Sequence, residues 1–279
     1  MANAISFMAM TISQTEFLPL TEGRIAFDST GSGPLVVLVP GMGDLRSSYR
    51  FLVPLLVEAG HRVVTTDLRG HGDSDATFRT YGGEQTAEDI AALLRHLGEP
   101  ALLVGNSLAA ASAVRVAADH PELVRGIALL GPFVRNPNAG AAMMVVFRVM
   151  MLPAWASLSW KAYFPTLFAG TQPADLTEYV AKVIASLRRP GYARAFSLTT
   201  RTSHEHAELA LPRVTTPSLV VMGDKDPDFP DPVKEANWIG TELGSPVVIV
   251  PEAGHYPQSQ RPELVAAAIL DFARGLPNA

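Results

Sequence analysis

The sequence predicts an α/β fold, a mostly parallel eight-stranded sheet flanked by helices, and three observations predict it. Short apolar runs rich in β-branched residues recur along the chain. Helical patterns lie between them. One long stretch, about residues 134–213, replaces the alternation with helices alone.

The runs are Leu35–Val39, Arg62–Thr66, Ala101–Val104, Gly126–Leu130, Ser218–Met222 and Pro246–Val250. Each has strand length, and most are apolar at nearly every position, as strands buried on both faces of a parallel sheet are. The intervening helical patterns are Ser47–Ala59, Gln85–Leu97, Ser107–Asp119, Pro232–Leu243 and Pro262–Arg274. Strands alternating with helices make βαβ units. Two earlier segments, Glu16–Leu20 and Arg24–Phe27, flank Thr21-Glu22-Gly23 and predict an antiparallel hairpin at the sheet edge. In the strand-free stretch, helical patterns fall near Ala141–Met151, Ala154–Phe168, Ala174–Leu187 and Gly191–Thr199, punctuated by Pro153, Pro165, Pro173 and Pro190. The chain thus divides into a core of residues 1–133 and 214–279 and a helical insertion of residues 134–213.

At 279 residues, 48% hydrophobic and 18% charged, the chain is long enough for one substantial core. A net charge of −5 supplies no basic field, so nucleic-acid binding has no electrostatic support. With no cysteine, disulfides and sulfur-ligated zinc are excluded. The N-terminal MANAISFMAMTISQTEF lacks the features of a secretory signal. The most apolar stretch, Ala139–Leu152, is interrupted by Arg148 and is shorter than the roughly 20 residues a membrane span needs. These features predict a cytoplasmic protein with neither a membrane nor a nucleic-acid partner. No metal cluster, phosphate-cradling loop or dinucleotide fingerprint is present, so no metal or cofactor is expected.

The chemistry centres on Val104-Gly105-Asn106-Ser107-Leu108-Ala109-Ala110, which follows a strand and opens an Ala-rich helix. A nucleophile elbow needs this context. Its turn is so tight that the residues two before and two after the serine must be small, and Gly105 and Ala109 are. The helix N-terminus then points free amides and its positive dipole end at Ser107. A serine in a Gly-x-Ser-x-small pattern is otherwise an ordinary helix cap. Its place at the end of a buried strand favours the nucleophile.

Among seven histidines, His61, His71, His96, His120, His204, His206 and His255, most are weak candidates: His61 precedes a strand, His96 sits late in a helix and His120 ends one before Pro121, where surface or helix-end residues sit. His255 lies in Pro251-Glu252-Ala253-Gly254-His255-Tyr256-Pro257, directly after the last strand, where α/β folds build their sites. A base of this kind needs a carboxylate to fix its tautomer. The loop Gly223-Asp224-Lys225-Asp226-Pro227-Asp228 offers three, and the two not used are expected to be solvated loop residues. The order along the chain is Ser, Asp, His.

With these pieces in place, the chain resembles the α/β-hydrolase superfamily over almost its whole length. Five features match in order: Pro40-Gly41-Met42-Gly43, Asp67-Leu68-Arg69-Gly70-His71-Gly72-Asp73-Ser74, the elbow at Ser107, Gly223-x-x-Asp226, and Gly254-His255. The resemblance selects Asp226 over Asp224 and implies a catalytic triad of Ser107, Asp226 and His255. It also implies an oxyanion hole made by the backbone amides of Met42 and Leu108, a structural role for Asp67–Ser74, and a helical cap in the insertion. Two positions depart from the common pattern: Pro40 stands where many relatives have His, and Ala109 where the elbow often ends in Gly.

The implied reaction is acyl transfer to water through an acyl-enzyme. The insertion carries Met143, Met144, Phe147, Met150, Met151, Trp155, Trp160, Tyr163, Phe164 and Phe168. Many of these serve the packing of the insertion itself. Their abundance also predicts an apolar, adaptable pocket wall, hence a small-to-medium apolar ester or lactone as substrate. A carbon–carbon bond hydrolase of the ring-fission-product type is the nearest alternative. It rests on Gly105-Asn106-Ser107 and Leu130-Gly131-Pro132, with Arg188, Arg189 or Arg194 to hold a substrate carboxylate, but Tyr256 stands where that group usually has Trp. The other alternative is a ligand sensor or partner-binding protein on the same scaffold.

Overall fold

The computed structural model describes residues 14–136 and 141–276, with the backbone alone for 141–144. The N-terminal reading as far as Ser13 therefore lies outside the described residues.

Eight strands form one sheet: β1 (Glu16–Leu20), β2 (Gly23–Thr30), β3 (Leu35–Val39), β4 (Arg62–Thr66), β5 (Ala101–Asn106), β6 (Val124–Leu130), β7 (Ser218–Gly223) and β8 (Val247–Val250). Their order is β1-β2-β4-β3-β5-β6-β7-β8. The predicted hairpin pairs β1 with β2 antiparallel, and β2 pairs antiparallel with β4. From β4 to β8 every pairing is parallel.

Outside the insertion, the helices are α1 (Leu52–Glu58), α2 (Gly83–Leu97), α3 (Leu108–Asp119), α9 (Pro232–Leu243), α10 (Pro257–Gln260) and α11 (Pro262–Arg274). Between β6 and β7 come α4 (Ala141–Met150), α5 (Ala156–Tyr163), α6 (Leu176–Leu187), α7 (Tyr192–Thr199) and α8 (Glu205–Glu208), with no strand among the described residues. No helix among the described residues is long and apolar enough to cross a membrane.

The unbroken apolar strands have a direct cause. Leu35, Val37 and Val39 of β3 pack into one hydrophobic cluster with α2 and α3. Val36 and Leu38 of the same strand pack into a second cluster with α1 and α11 on the opposite face. Side chains alternate across a strand, so covering both faces demands apolar residues at every position. A third cluster joins α5, α6 and α7 to Leu45 and Tyr256 of the core loops, through Trp160, Phe164, Phe168, Tyr179 and Phe196.

Two predicted helices are shorter than their periodicity suggested. The Ser47–Ala59 pattern splits into a 3₁₀ turn, Arg46–Tyr49, and α1. The Ala154–Phe168 pattern ends as α5 at Tyr163 and continues as a 3₁₀ turn, Phe164–Leu167. Pro165 lacks the amide that would continue an α-helix, and its ring crowds the carbonyl four residues back.

The strand order also places the site. β3 has β4 on one side and β5 on the other, so the connections after β3 and β5 leave in opposite directions. A crevice opens at such a switch point, beyond the carboxyl ends of the strands. The Pro40–Gly43 loop leaves β3 there, and Ser107 leaves β5.

Candidate active site

Ser107 sits between β5 and α3 at φ 57° and ψ −120°. Only Ser107 and Glu252 among the described non-glycine residues have positive φ. Holding a side chain in this conformation costs on the order of 1–3 kcal/mol, and the surroundings must enforce it. They do so on several sides. The Ser107 amide donates to the Leu130 carbonyl at 2.9 Å, and its carbonyl accepts from the Ala110 amide at 3.0 Å. A Cβ at Gly105 would fall 2.4 Å from the Ala109 carbonyl oxygen, so position 105 admits only glycine. Ala109 is fully buried and its methyl group is accommodated.

Asp226 and His255 meet at the ends of β7 and β8. Oδ2 of Asp226 lies 2.7 Å from Nδ1 of His255, and both side chains are buried. Nδ1 therefore carries the proton it donates to the carboxylate, and Nε2 is left for the cavity. Burial pulls the ring's pKa down. The Asp226 carboxylate outweighs this, helped by Asp228 and Asp44, and pushes it up to about 9. The His255 loop is pinned from the insertion, because the His255 amide donates to the Leu167 carbonyl at 2.8 Å. It is pinned from the elbow as well. Nδ2 of Asn106 donates to the His255 carbonyl at 3.1 Å and to that of Leu130 at 3.0 Å.

A cavity of about 500 Å³ contains Ser107, Leu108, Met42 and His255 in its wall. The loop after β3 touches the serine closely, since a Cβ on Gly41 would stand 2.9 Å from Cβ of Ser107. Leu108 opens α3, and the first amides of a helix have no intrahelical acceptor. Met42, Ser107, Leu108 and His255 thus line one cavity, and Asp226 stands behind His255 outside its lining. Phe147, Trp160, Tyr163 and Leu167 of the insertion and Tyr256 after the histidine supply much of its remaining wall. Of the insertion's other predicted wall residues, Met151, Phe164 and Phe168 are buried in the insertion's own cluster, and Met150 and Trp155 are exposed. The side chains of Met143 and Met144 lie outside the described residues.

One expectation needs correction. Asp228 is not a solvated loop residue. It faces the cavity, receives a hydrogen bond from the Tyr163 hydroxyl, and places Oδ2 3.8 Å from Nε2 of His255. Burial pushes its carboxyl pKa up, against the opposing pull of His255 and Tyr163. Asp224 is half-buried and accepts from the Ala253 amide at 3.3 Å. His204, which no sequence pattern marked, also belongs to the site's wall. It is buried in the cavity wall, stacks on Phe133, and burial lowers its pKa to about 4. Two residues past the acid and one past Pro227, Asp228 had a legible position but no pattern to mark it. His204 is followed by only four helical residues, too short a run to show a buried face.

Asp67–Ser74 is occupied by structure. Asp67 is buried and paired with Arg46, Arg69 grips Asp89 through two nitrogens, and His71 is buried with Nδ1 3.0 Å from the Arg69 carbonyl. Asp226, Asp228 and His255 hold ligand-type atoms within 4.8 Å of one another. The direct Asp226–His255 hydrogen bond leaves only Nε2 and Asp228 facing outward, fewer donors than a tight metal site uses.

An open α/β sheet with a buried carboxylate–imidazole pair and a serine on a strained strand-to-helix turn has the architecture of a hydrolase. The chain matches the alpha/beta hydrolase family over residues 36–268, and it belongs to that family. It is 29% identical to 2-(acetamidomethylene)succinate hydrolase of Mesorhizobium japonicum, over 95% of this chain and 98% of that protein. It is also 29% identical to pimeloyl-[acyl-carrier protein] methyl ester esterase of Neisseria meningitidis, over 86% of this chain and 93% of that one. In fold it resembles a thermophilic esterase from Thermogutta terrifontis, with a TM-score of 0.78 at 23% identity, over 94% of this chain and 98% of that one.

Proposed function

We propose that the protein is a serine hydrolase that cleaves a small-to-medium carboxylic ester or lactone through an acyl-enzyme. The observation that carries this reading is the buried Asp226–His255 hydrogen bond, whose free ring nitrogen shares one cavity with a serine in a strained elbow. Ser107 attacks the carbonyl carbon, and His255 takes its proton. The Met42 and Leu108 amides hold the oxyanion. His255 then protonates the leaving alcohol and activates the water that releases the acid. Residues 134–213 form the cap, and their apolar side chains favour an apolar acyl group.

A carbon–carbon bond hydrolase acting on an acid would need a cation for the substrate carboxylate. Arg188, Arg189 and Arg194 do not line the cavity, and Arg189 instead binds the Gly72 carbonyl and stacks on Tyr192. The esterase of Neisseria meningitidis, by its name, favours an ester substrate. The direct test is labelling with a fluorophosphonate probe, followed by turnover of an ester and lactone panel. Wild type is expected to form one adduct, at Ser107. Labelling that persists in Ser107→Ala would refute the assignment, and tight ligand binding without turnover would point to a sensor.

A further inference from the structure

The cavity's charge is unusual for a site expected to hold an apolar substrate. Asp228 is its single lining carboxylate among the described residues, and no lysine or arginine lines it. The undescribed residues, 1–13, 137–140 and 277–279, contain no basic residue either, nor do 141–144. One oxygen of Asp228 is engaged by Tyr163. The other faces the cavity 3.8 Å from Nε2 of His255, beyond hydrogen-bond length. Phe133, Phe147, Trp160, Tyr163 and Tyr256 surround the same space. Asp226 and Asp228 flank the one His255 ring, so even its protonated form offsets only one of the two carboxylate charges, and a remaining negative charge in a largely apolar enclosure is costly without a further partner. Aromatic faces with one carboxylate form a setting that attracts organic cations, through the ring quadrupoles and the charge together.

We propose that this cavity recognises a cationic group, so that the substrate is an ester whose alcohol portion carries an ammonium. This rests on the serine-hydrolase reading above and names its substrate class. The position of Asp228 assigns the cation to the leaving side. Nε2 of His255 delivers its proton to the departing alcohol oxygen, and Asp228 stands beside that nitrogen. Tyr163, donating to the first oxygen, orients the second. His204, also in the wall, is neutral near pH 7 and does not compete for the carboxylate.

The test uses binding as well as turnover. Choline and its uncharged isostere 3,3-dimethylbutan-1-ol are titrated calorimetrically into wild type, Asp228→Asn and Tyr163→Phe. The acetate esters of the same two alcohols are compared by kcat/KM. Wild type is expected to favour the cation by about tenfold or more in both measurements. Asp228→Asn should bring both ratios close to one, whatever becomes of the absolute rates. Tyr163→Phe should reduce them, and it serves as the second variant if Asp228→Asn fails to melt cooperatively. A wild-type ratio of one or less, no detectable choline binding, or a preference that survives Asp228→Asn overturns the inference. Fluorophosphonate labelling in parallel separates the two proposals. Labelled Ser107 without cation preference removes only this one, whereas choline binding without labelling removes the serine-hydrolase reading, and with it the ester, and leaves only the cation site.

Discussion

Nε2 of His255 stands 3.8 Å from the Asp228 carboxylate, while Nδ1 of the same ring is hydrogen-bonded to Asp226 at 2.7 Å. One imidazole thus lies between two carboxylates, and both favour its protonated form. This bears on the proposed function, in which only the neutral ring can accept the serine proton.

The first prediction concerns pH. His255 is pushed up to about 9, by Asp226 most strongly and by Asp228 and Asp44 in addition. A raised pKa keeps the ring protonated, and inactive as a base, to higher pH. The limb of kcat/KM against pH should therefore rise above the ordinary histidine value near 6.5. Asp228→Asn removes one of these charges and should move the limb to lower pH. A wild-type limb below 6.5, or no movement in the variant, would contradict this electrostatic account.

A second prediction separates the two aspartates that the loop pattern left open. Asp226 bonds the imidazole, whereas Asp224 accepts only from the Ala253 amide, at 3.3 Å. Asp226→Asn should lower kcat by about 10⁴-fold, because an amide no longer holds the tautomer that presents a free Nε2. Asp224→Asn keeps an oxygen acceptor for Ala253 and should stay within a few-fold of wild type. Steady-state kinetics with matched melting curves distinguish them, and comparable losses in both would refute the pairing.

The sequence showed the sheet and the tight turn at Ser107 because both obey local rules. β3 and β5 must be apolar on two faces, and Gly105 must be glycine because the Ala109 carbonyl fills the space a side chain would take. The cavity wall obeys no local rule. Trp160 and Phe164 lie on neighbouring turns, yet one lines the cavity and the other is buried beside it, against Phe168, Tyr179 and Tyr256. That distinction depends on how α5 seats over the elbow, which periodicity does not encode. The burial of Asp228, expected to be solvated, is not local either. Its partner Tyr163 is 65 residues away.

A third prediction addresses Asn106, whose side chain joins the elbow to the histidine loop. Its Nδ2 donates to the carbonyls of Leu130 and His255, and its Oδ1 has no partner among the described residues. Asn106→Ala leaves two buried carbonyls each short of a donor, costing roughly 1–3 kcal/mol of stability. With the loop less firmly held, kcat should fall more than KM changes. Asn106→Asp should be worse than alanine, since it sets a carboxylate oxygen against two carbonyl oxygens. Urea denaturation and kinetics of both variants test this order, and an aspartate variant as stable as wild type would contradict it.

The last prediction is acid sensitivity arising away from the site. His71 is buried, one ring nitrogen lacks a partner among the described residues, and burial lowers its pKa to about 4. In the unfolded chain it titrates near 6.5. Between these values the unfolded state binds a proton that the folded state refuses. Its contribution to stability is therefore complete above pH 6.5 and is lost as pH falls towards 4. The slope for one such group reaches about 1.4 kcal/mol per pH unit. Asp44 acts in the opposite sense, because burial raises it to about 6 and the folded state takes up its proton first. The wild-type curve alone mixes these effects, so the informative quantity is the difference between wild type and His71→Gln. Urea midpoints at pH 7, 6 and 5 should fall less steeply in the variant. Parallel curves would mean that His71 finds a partner for its proton in the folded state.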